Sequence, residues 1–340
     1  MQSSRCITRA SLFCFSLALL MLCCGGLFPA DGWSATEPAI QIMPAEASGT
    51  KFAFEPQTKA SGTSSPRWHA DIPRPQGKTL DGIWGSSAQD VFAVGADGLI
   101  MHYDGTAWKQ MTSGTAKWLF GVWGSSAQRV FAVGTYGTIL QYNGSTWSQM
   151  SCGTTNILRG VWGSSAQDVY AVGEYGKILH YDGTSWSLLA RWTINHLRSI
   201  WGSSAQDVFV VGDYGTILHY DGTSWKKMSC GTGKWLYGVW GSSGQDVFAV
   251  GKKGTILHYD GTAWKRMPSG IATDLRGVWG SSAKDVYAVG DSGTILHYDG
   301  SSWSPVTSGT ANRLWAVWGS SAQDVIAVGY LGSILHFKGP

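Results

Sequence analysis

The chain has 340 residues, of which 46 are glycine and 19 are tryptophan, while only 14% are charged. This composition is typical of a turn-rich globular protein and excludes a disordered chain. The net charge is +3, which is too small to favour nucleic acid or an anionic membrane surface as a partner.

Residues 1–30 are typical of an export signal. Two arginines, Arg5 and Arg9, precede an apolar run at positions 12–22, which is shorter than the roughly 20 apolar residues that cross a membrane. We therefore expect an exported protein that is periplasmic, on the cell surface or secreted. The alternatives are a retained anchor at this segment or a lipid on Cys23 or Cys24, and these are the only membrane attachments that the sequence suggests.

Residues 31–65 are rich in Pro, Ala, Ser, Thr and Gly and have no hydrophobic periodicity. This pattern predicts a flexible linker. The globular part is predicted to span residues 66–340.

The motif WGSS recurs throughout the rest of the chain at a constant interval of 39 residues, and its seven copies begin at Trp84, Trp123, Trp162, Trp201, Trp240, Trp279 and Trp318. Each copy contains four short β-type runs separated by turn residues, such as LRSIW, DVFVVG, TILHY and SWKKM around Trp201. Seven such repeats predict an all-β, seven-bladed β-propeller with four antiparallel strands in each 39-residue blade.

The two ends of the repeat region predict how the ring closes. The last copy stops after its third β-type run, and the run RWHAD with Trp68 stands upstream of the first full copy. We expect this N-terminal run to supply the fourth strand of the last blade, so that no sheet edge is left unpaired.

Several polar residues recur in nearly every copy and are predicted to be structural. The recurrent histidines lie on the third strand, where we estimate a separation of roughly 14 Å between neighbours, too far to share a zinc ion with bonds of about 2.1 Å. We therefore predict neither a metal nor another cofactor. The second copy has Arg129, Gln141 and Asn143 where the first copy and the third to sixth copies have Asp, His and Asp. This joint replacement suggests that Asp207, His219 and Asp221 form one polar cluster within their blade.

In the DGTSW turn, Asp221 is expected to accept bonds from backbone N–H groups two or three residues on, with Gly222 at positive φ. Trp225 is expected to pack between blades. Only Cys152 and Cys230 remain beyond the N-terminal segment, and we expect them to be unbridged because they occupy equivalent positions two blades apart.

The run AVGDYGTILHYDGTSW resembles the repeat of tectonin-type β-propellers, and it is also similar to the Asp-box hairpin, although Gly222 comes one residue early and His219 replaces the serine. The tectonin resemblance implies a binding protein, in several cases a lectin. The Asp-box resemblance implies either a sialidase or an assembly factor.

The copies differ at two sets of positions, both predicted to lie on the same face of the ring. The first set lies in the turn between the second and third β-type runs, which has the pattern GxxG, as in GDYG at residues 212–215. This set includes Tyr136, Tyr175 and Tyr214. The second set follows a recurrent leucine at the start of the innermost strand, and its aromatic and arginine members are Phe120, Arg159, Arg198, Tyr237, Arg276 and Trp315. Aromatic and arginine side chains are enriched in binding hot spots, so these positions are the candidate ligand-binding residues.

The sequence therefore favours a binding or scaffold propeller with a glycan or protein ligand at the variable face. The alternative is a glycosidase-, sialidase- or lyase-like enzyme that uses the three arginines with Glu174 and Asp213. We consider an enzyme the less favoured of the two, because the sequence shows no nucleophile–base–orienter set.

Overall fold

Seven four-stranded antiparallel sheets make up the part of the chain that the structure describes, residues 67–71 and 77–339 of a computed structural model. The sheets follow the 39-residue repeat and form the seven predicted blades. The predicted export signal and linker lie outside the described residues. No helix within those residues is long and apolar enough to span a membrane.

The strands of each blade run in order from the channel outwards. The innermost strands of blades 1–7 are Leu80–Ser87, Leu119–Ser126, Leu158–Ser165, Leu197–Ser204, Leu236–Ser243, Leu275–Ser282 and Leu314–Ser321. The second strands are Asp90–Gly95, Arg129–Gly134, Asp168–Gly173, Asp207–Gly212, Asp246–Gly251, Asp285–Gly290 and Asp324–Gly329. The third strands are Ile100–Tyr103, Ile139–Tyr142, Ile178–Tyr181, Ile217–Tyr220, Thr255–Tyr259, Ile295–Tyr298 and Ile334–Lys338. The outer strands of blades 1–6 are Trp108–Met111, Trp147–Met150, Trp186–Leu188, Trp225–Lys227, Trp264–Met267 and Trp303–Val306.

Blade 7 takes its outer strand from the other end of the chain, as predicted. Arg67–Ala70 pairs antiparallel with the third strand of blade 7, with Trp68 opposite Phe337. The carboxylate of the next residue, Asp71, accepts a hydrogen bond from Trp108 Nε1 of blade 1 at 3.3 Å and lies 3.3 Å from His336 Nδ1 of blade 7. Asp71 therefore links the closing strand to the third strand of blade 7 and to the outer strand of blade 1.

His336 at this junction is almost fully buried and also contacts Asp324 at 2.6 Å. Burial alone would lower the pKa of His336, but its bonds to Asp324 and Asp71 outweigh burial and raise the pKa. The ring is therefore closed by a buried histidine held between two carboxylates.

The hydrophobic core lies between blades. One apolar cluster joins Tyr170 and Val172 of blade 3 to Leu197, Val208 and Trp225 of blade 4, and similar clusters join the other neighbours. The prediction that Trp225 packs between blades is confirmed, since its ring meets that of Tyr170 edge-on at 6.2 Å.

The WGSS motif is explained by contact between adjacent blades. A Cβ atom on Gly202 would lie 2.5 Å from the ring of Trp162 in the preceding blade, and every WGSS glycine faces the preceding tryptophan in the same way. Gly85 meets Trp318 of blade 7, so this contact continues around the closed ring.

We expect Gly202→Ala to lower the free energy of unfolding by about 1–3 kcal/mol, because the added methyl group overpacks a rigid interface. Gly233→Ala is the matched control, since its Cβ would meet nothing within 4 Å. Chemical denaturation of both variants measures the difference. Equal stability of the two variants would contradict this account of the motif.

The recurrent histidine pairs with the recurrent aspartate of the second strand. His219 Nε2 lies 2.6 Å from Asp207 Oδ1, the Ser203 hydroxyl donates to the other carboxylate oxygen, and the imidazole stacks on Phe209 at 4.2 Å. The same pair occurs at 2.6–2.7 Å in the other five blades that have both residues.

The inclusion of Asp221 in this cluster was wrong. Its carboxylate accepts hydrogen bonds from the backbone N–H groups of Thr223 and Ser224 and contacts Lys226, because the tight turn holds these donors beside it. The turn prediction itself is confirmed, with Gly222 at φ 86°. Cys152 and Cys230 are buried and unbridged, as expected.

Candidate functional site

The channel mouth is lined by one residue from each blade. Each of these residues follows the buried leucine that opens the innermost strand, and together they are Asp81, Phe120, Arg159, Arg198, Tyr237, Arg276 and Trp315. In blade 3 the pairing with the second strand passes from Leu158 directly to Gly160, leaving Arg159 in a β-bulge. Bulges re-aim side chains, and the same shift in every blade places this position around a depression of about 220 Å³.

Arginine and aromatic side chains alternate around part of the mouth. The guanidinium of Arg276 lies 4.3 Å from the ring centre of Tyr237 and 5.1 Å from that of Trp315. Arg198 lies 5.2 Å from Tyr237 on its other side, and Arg159 lies 5.2 Å from Phe120. Such cation–π contacts hold the planar groups in fixed orientations.

Each mouth arginine is also paired with an acid of its own blade, fifteen residues later in the GxxG turn. Arg276 Nε donates to Asp291 at 2.9 Å, Arg198 forms two bonds to the Asp213 carboxylate, and Arg159 Nη2 donates to Glu174 at 3.2 Å. The arginines are therefore largely neutralised and positioned before any ligand arrives.

Asp81 is the one carboxylate among the seven mouth residues. It accepts a hydrogen bond from Trp118 Nε1 at 2.6 Å. Burial raises its pKa to about 7, outweighing the opposing effects of Trp118 and the charge of Arg159. The mouth therefore changes its charge near neutral pH.

The GxxG turns form a second ring outside the mouth. Their variable residue has a left-handed backbone, with φ between 53° and 56° in all seven blades, at Asp97, Tyr136, Tyr175, Tyr214, Lys253, Ser292 and Leu331. The side chains of Tyr136, Tyr175 and Tyr214 are 69%, 53% and 65% exposed. These turns project from the face on which the mouth opens.

In blades 1–6 each turn also contacts the link into the next blade. The backbone N–H of Tyr175 donates to His196 Nδ1 at 3.1 Å, and the Tyr175 ring lies edge-on to the imidazole at 5.1 Å. Tyr214 meets Trp235 at 6.1 Å. The turns and links thus form one continuous surface.

The structure places all nine predicted binding residues on this variable face, six at the mouth and three on the turns. It does not bring Glu174 and Asp213 together as a free carboxylate pair, because each bonds to the arginine of its own blade. Among residues 67–71 and 77–339, no three histidine, cysteine or acidic side chains are arranged to hold a metal ion.

The sequence reasoning missed Asp274 and Arg313. Arg313 lies 4.8 Å from the Trp315 ring and 2.7 Å from Asp291, while Asp274 bonds Arg276 at 3.2 Å. Both residues directly precede the recurrent leucine, a position that also varies between copies. That variation is the signal that could have identified them.

The comparisons with known proteins identify the fold. No protein-family model matches the chain, and no curated protein matches it. Solved structures of similar shape include YCF48 from Cyanidioschyzon merolae, with a TM-score of 0.67 and 16% identity over 80% of this chain and 99% of that one. A structure described as YCF48 bound to D1 peptide has a TM-score of 0.68 and 16% identity over 80% and 95%.

The WD40 β-propeller domain of Doa1 is similar with a TM-score of 0.68 and 13% identity, covering 81% of this chain and 97% of that one. At these identities the likeness shows the fold alone, and the resemblance to tectonin-type and Asp-box repeats stays a prediction. The chain is a seven-bladed β-propeller whose variable residues surround one mouth of its channel.

Proposed function

We propose that this chain is an exported binding propeller that holds a protein ligand on its variable face. The observation that carries the proposal is the separation of roles in the repeat. The recurrent residues pack blades and close turns, whereas the varied residues gather on one face as exposed tyrosines and oriented arginines. Tyrosine, tryptophan and arginine are the residues that dominate protein interfaces.

The dimensions of the mouth favour a protein over a small molecule. The depression holds about 220 Å³, below the range of roughly 300–1,000 Å³ that is usual for small-molecule sites. A wide, shallow surface rimmed by exposed side chains instead suits a macromolecule. The similar structure of YCF48 bound to D1 peptide supports a peptide ligand by analogy of fold.

A glycan is the second candidate ligand. The exposed rings of Tyr136, Tyr175 and Tyr214 favour it, because flat aromatic faces also stack against sugar rings. The enzyme alternative has no comparable support, since the acids that it would use are engaged with arginines. Export rests on the sequence pattern of residues 1–30.

Binding to a glycan array and to a displayed library of random peptides tests this proposal. Two triple variants of the full chain are compared with the wild type. Tyr175→Asn, Tyr214→Asn and Trp315→Ala change three places on the variable face. Gln206→Ala, Gln245→Ala and Gln323→Ala change exposed turns on the other face.

We expect enriched peptides to bind the glutamine variant like the wild type and the variable-face variant at least about tenfold more weakly, a difference of about 1.4 kcal/mol. Glycan signals with the same dependence would support the second candidate instead. Binding that is lost only in the glutamine variant would contradict the proposed face.

A further inference from the structure

Exposed large apolar side chains are concentrated on one part of the propeller. Among the residues that the structure describes, six of the eight lie in blades 2–4 or the links that adjoin them, and these are Trp118, Tyr136, Tyr175, Leu188, Ile194 and Tyr214. The other two, Tyr330 and Leu331, are in blade 7. We call the GxxG turns of blades 2–4, with the links that adjoin them, the blade 2–4 sector.

The three tyrosines of this sector occupy costly backbone positions. Their φ angles are 55°, a region that glycine and asparagine adopt readily and bulky residues avoid at a cost of about 1–2 kcal/mol. Because each side chain is more than half exposed, burial within the chain recovers little of this cost. Because the same backbone occurs in all seven blades, the turn itself imposes this conformation. The sector is distinguished by keeping exposed aromatic rings at three of these positions.

The charges of the sector are unbalanced. Its two acids on this face, Glu174 and Asp213, are paired with Arg159 and Arg198. Within the described ranges, no carboxylate lies within 4 Å of the charged groups of four further cations, Lys117, Lys177, Arg191 and Lys234. The sector therefore presents apolar rings among unneutralised positive charges.

We propose that the ligand of the variable face presents an acidic segment with aromatic or aliphatic side chains, and that this segment crosses the blade 2–4 sector. This inference rests on the proposed function and names the chemistry of the partner. With strands about 4.8 Å apart, we estimate roughly 20 Å from Tyr136 to Tyr214, the length of about six or seven extended residues. Apolar side chains of the segment would pack between the tyrosines while its carboxylates face the lysines.

The test uses the full chain and a displayed library of random peptides of about 12 residues, long enough to cross the sector. One variant carries Tyr136→Asn, Tyr175→Asn and Tyr214→Asn. The matched control carries Asp97→Asn, Lys253→Asn and Ser292→Asn, which change the same left-handed position in blades 1, 5 and 6. Asparagine tolerates this backbone, so both variants are expected to fold.

We expect the enriched peptides to combine Asp or Glu with aromatic or aliphatic residues. Their affinity should fall at least about tenfold in the tyrosine variant and stay within about twofold of the wild type in the control. The affinity of the peptides for the wild type should also fall when the salt concentration is raised to about 1 M. At that concentration the Debye length is about 3 Å, so the attraction between exposed charges is screened.

Basic or uncharged consensus peptides would overturn the inference, as would binding that is lost only in the blade 1, 5 and 6 control. In the second case the proposed function would still stand, because the variable face would still be the binding face. Failure of the library to yield any peptide that binds above the blank support would count against the proposed function itself, and the inference would fall with it.

Discussion

Replacing Trp68 by alanine is expected to lower the free energy of unfolding by about 3–5 kcal/mol, the usual cost of deleting a buried tryptophan. Trp68 is 7% exposed and packs against Tyr287 of blade 6 at 5.9 Å and Phe337 of blade 7 at 5.7 Å. It therefore occupies the place that Trp225 and its equivalents occupy in the other blades. Since domains are stable by only about 5–15 kcal/mol, this one side chain supplies a large part of the total.

The control for this prediction is Arg67→Ala on the same strand, whose side chain is exposed. Denaturant unfolding of both variants measures the effect, with a change of less than about 0.5 kcal/mol expected for the control. Equal stabilities would contradict closure of the ring by the N-terminal strand.

Replacing Asp81 by asparagine is expected to stabilise the protein at alkaline pH. The pKa of Asp81 is raised to about 7, above the value of about 3.9 in an unfolded chain. Between these values the folded state binds the proton more tightly, so the stability contributed by this residue falls as pH rises from about 4 to 7. Asparagine removes the charge and keeps an acceptor for Trp118.

We expect Asp81→Asn to raise the free energy of unfolding by about 2–4 kcal/mol at pH 8 and by little at pH 4, because each tenfold difference in proton affinity between the folded and unfolded states corresponds to about 1.4 kcal/mol. Asp97→Asn is the control, because it removes a carboxylate that is exposed to solvent. The one ion pair that Asp97 makes among the described residues is a surface contact of 3.5 Å with Lys78. Urea unfolding at the two pH values provides the measurement. A stabilisation by Asp81→Asn that did not grow with pH would be inconsistent with a buried, destabilised carboxylate at the mouth.

The fold could be predicted well from the sequence because the same structural unit occurs seven times, so each copy supports the interpretation of the others. A constant spacing of WGSS identified the blades, and the missing last strand together with Trp68 identified the closure. The Asp207–His219 pair could also be predicted from the sequence, because the second copy lacks both the aspartate and the histidine.

The details of the variable face could not be predicted as well from the sequence. The bulge that turns Arg159 towards the mouth depends on a shift in strand pairing, which side-chain alternation does not record. The pairing of Arg198 with Asp213 spans fifteen residues across two strands, so sequence proximity does not suggest it. Asp221 was misassigned because the backbone N–H groups of the turn that follows it bind its carboxylate.

The central claim is that repeated residues maintain the propeller and varied residues bind its ligand. Hydrogen exchange of the full chain, with and without a peptide selected from the library, tests this claim most directly. We predict slower exchange in Thr135–Gly137, Glu174–Gly176 and Asp213–Gly215. We predict no change in the turns that follow each WGSS motif on the opposite face, such as residues 205–206. Protection of those turns, with unchanged exchange in the three segments, would contradict the claim.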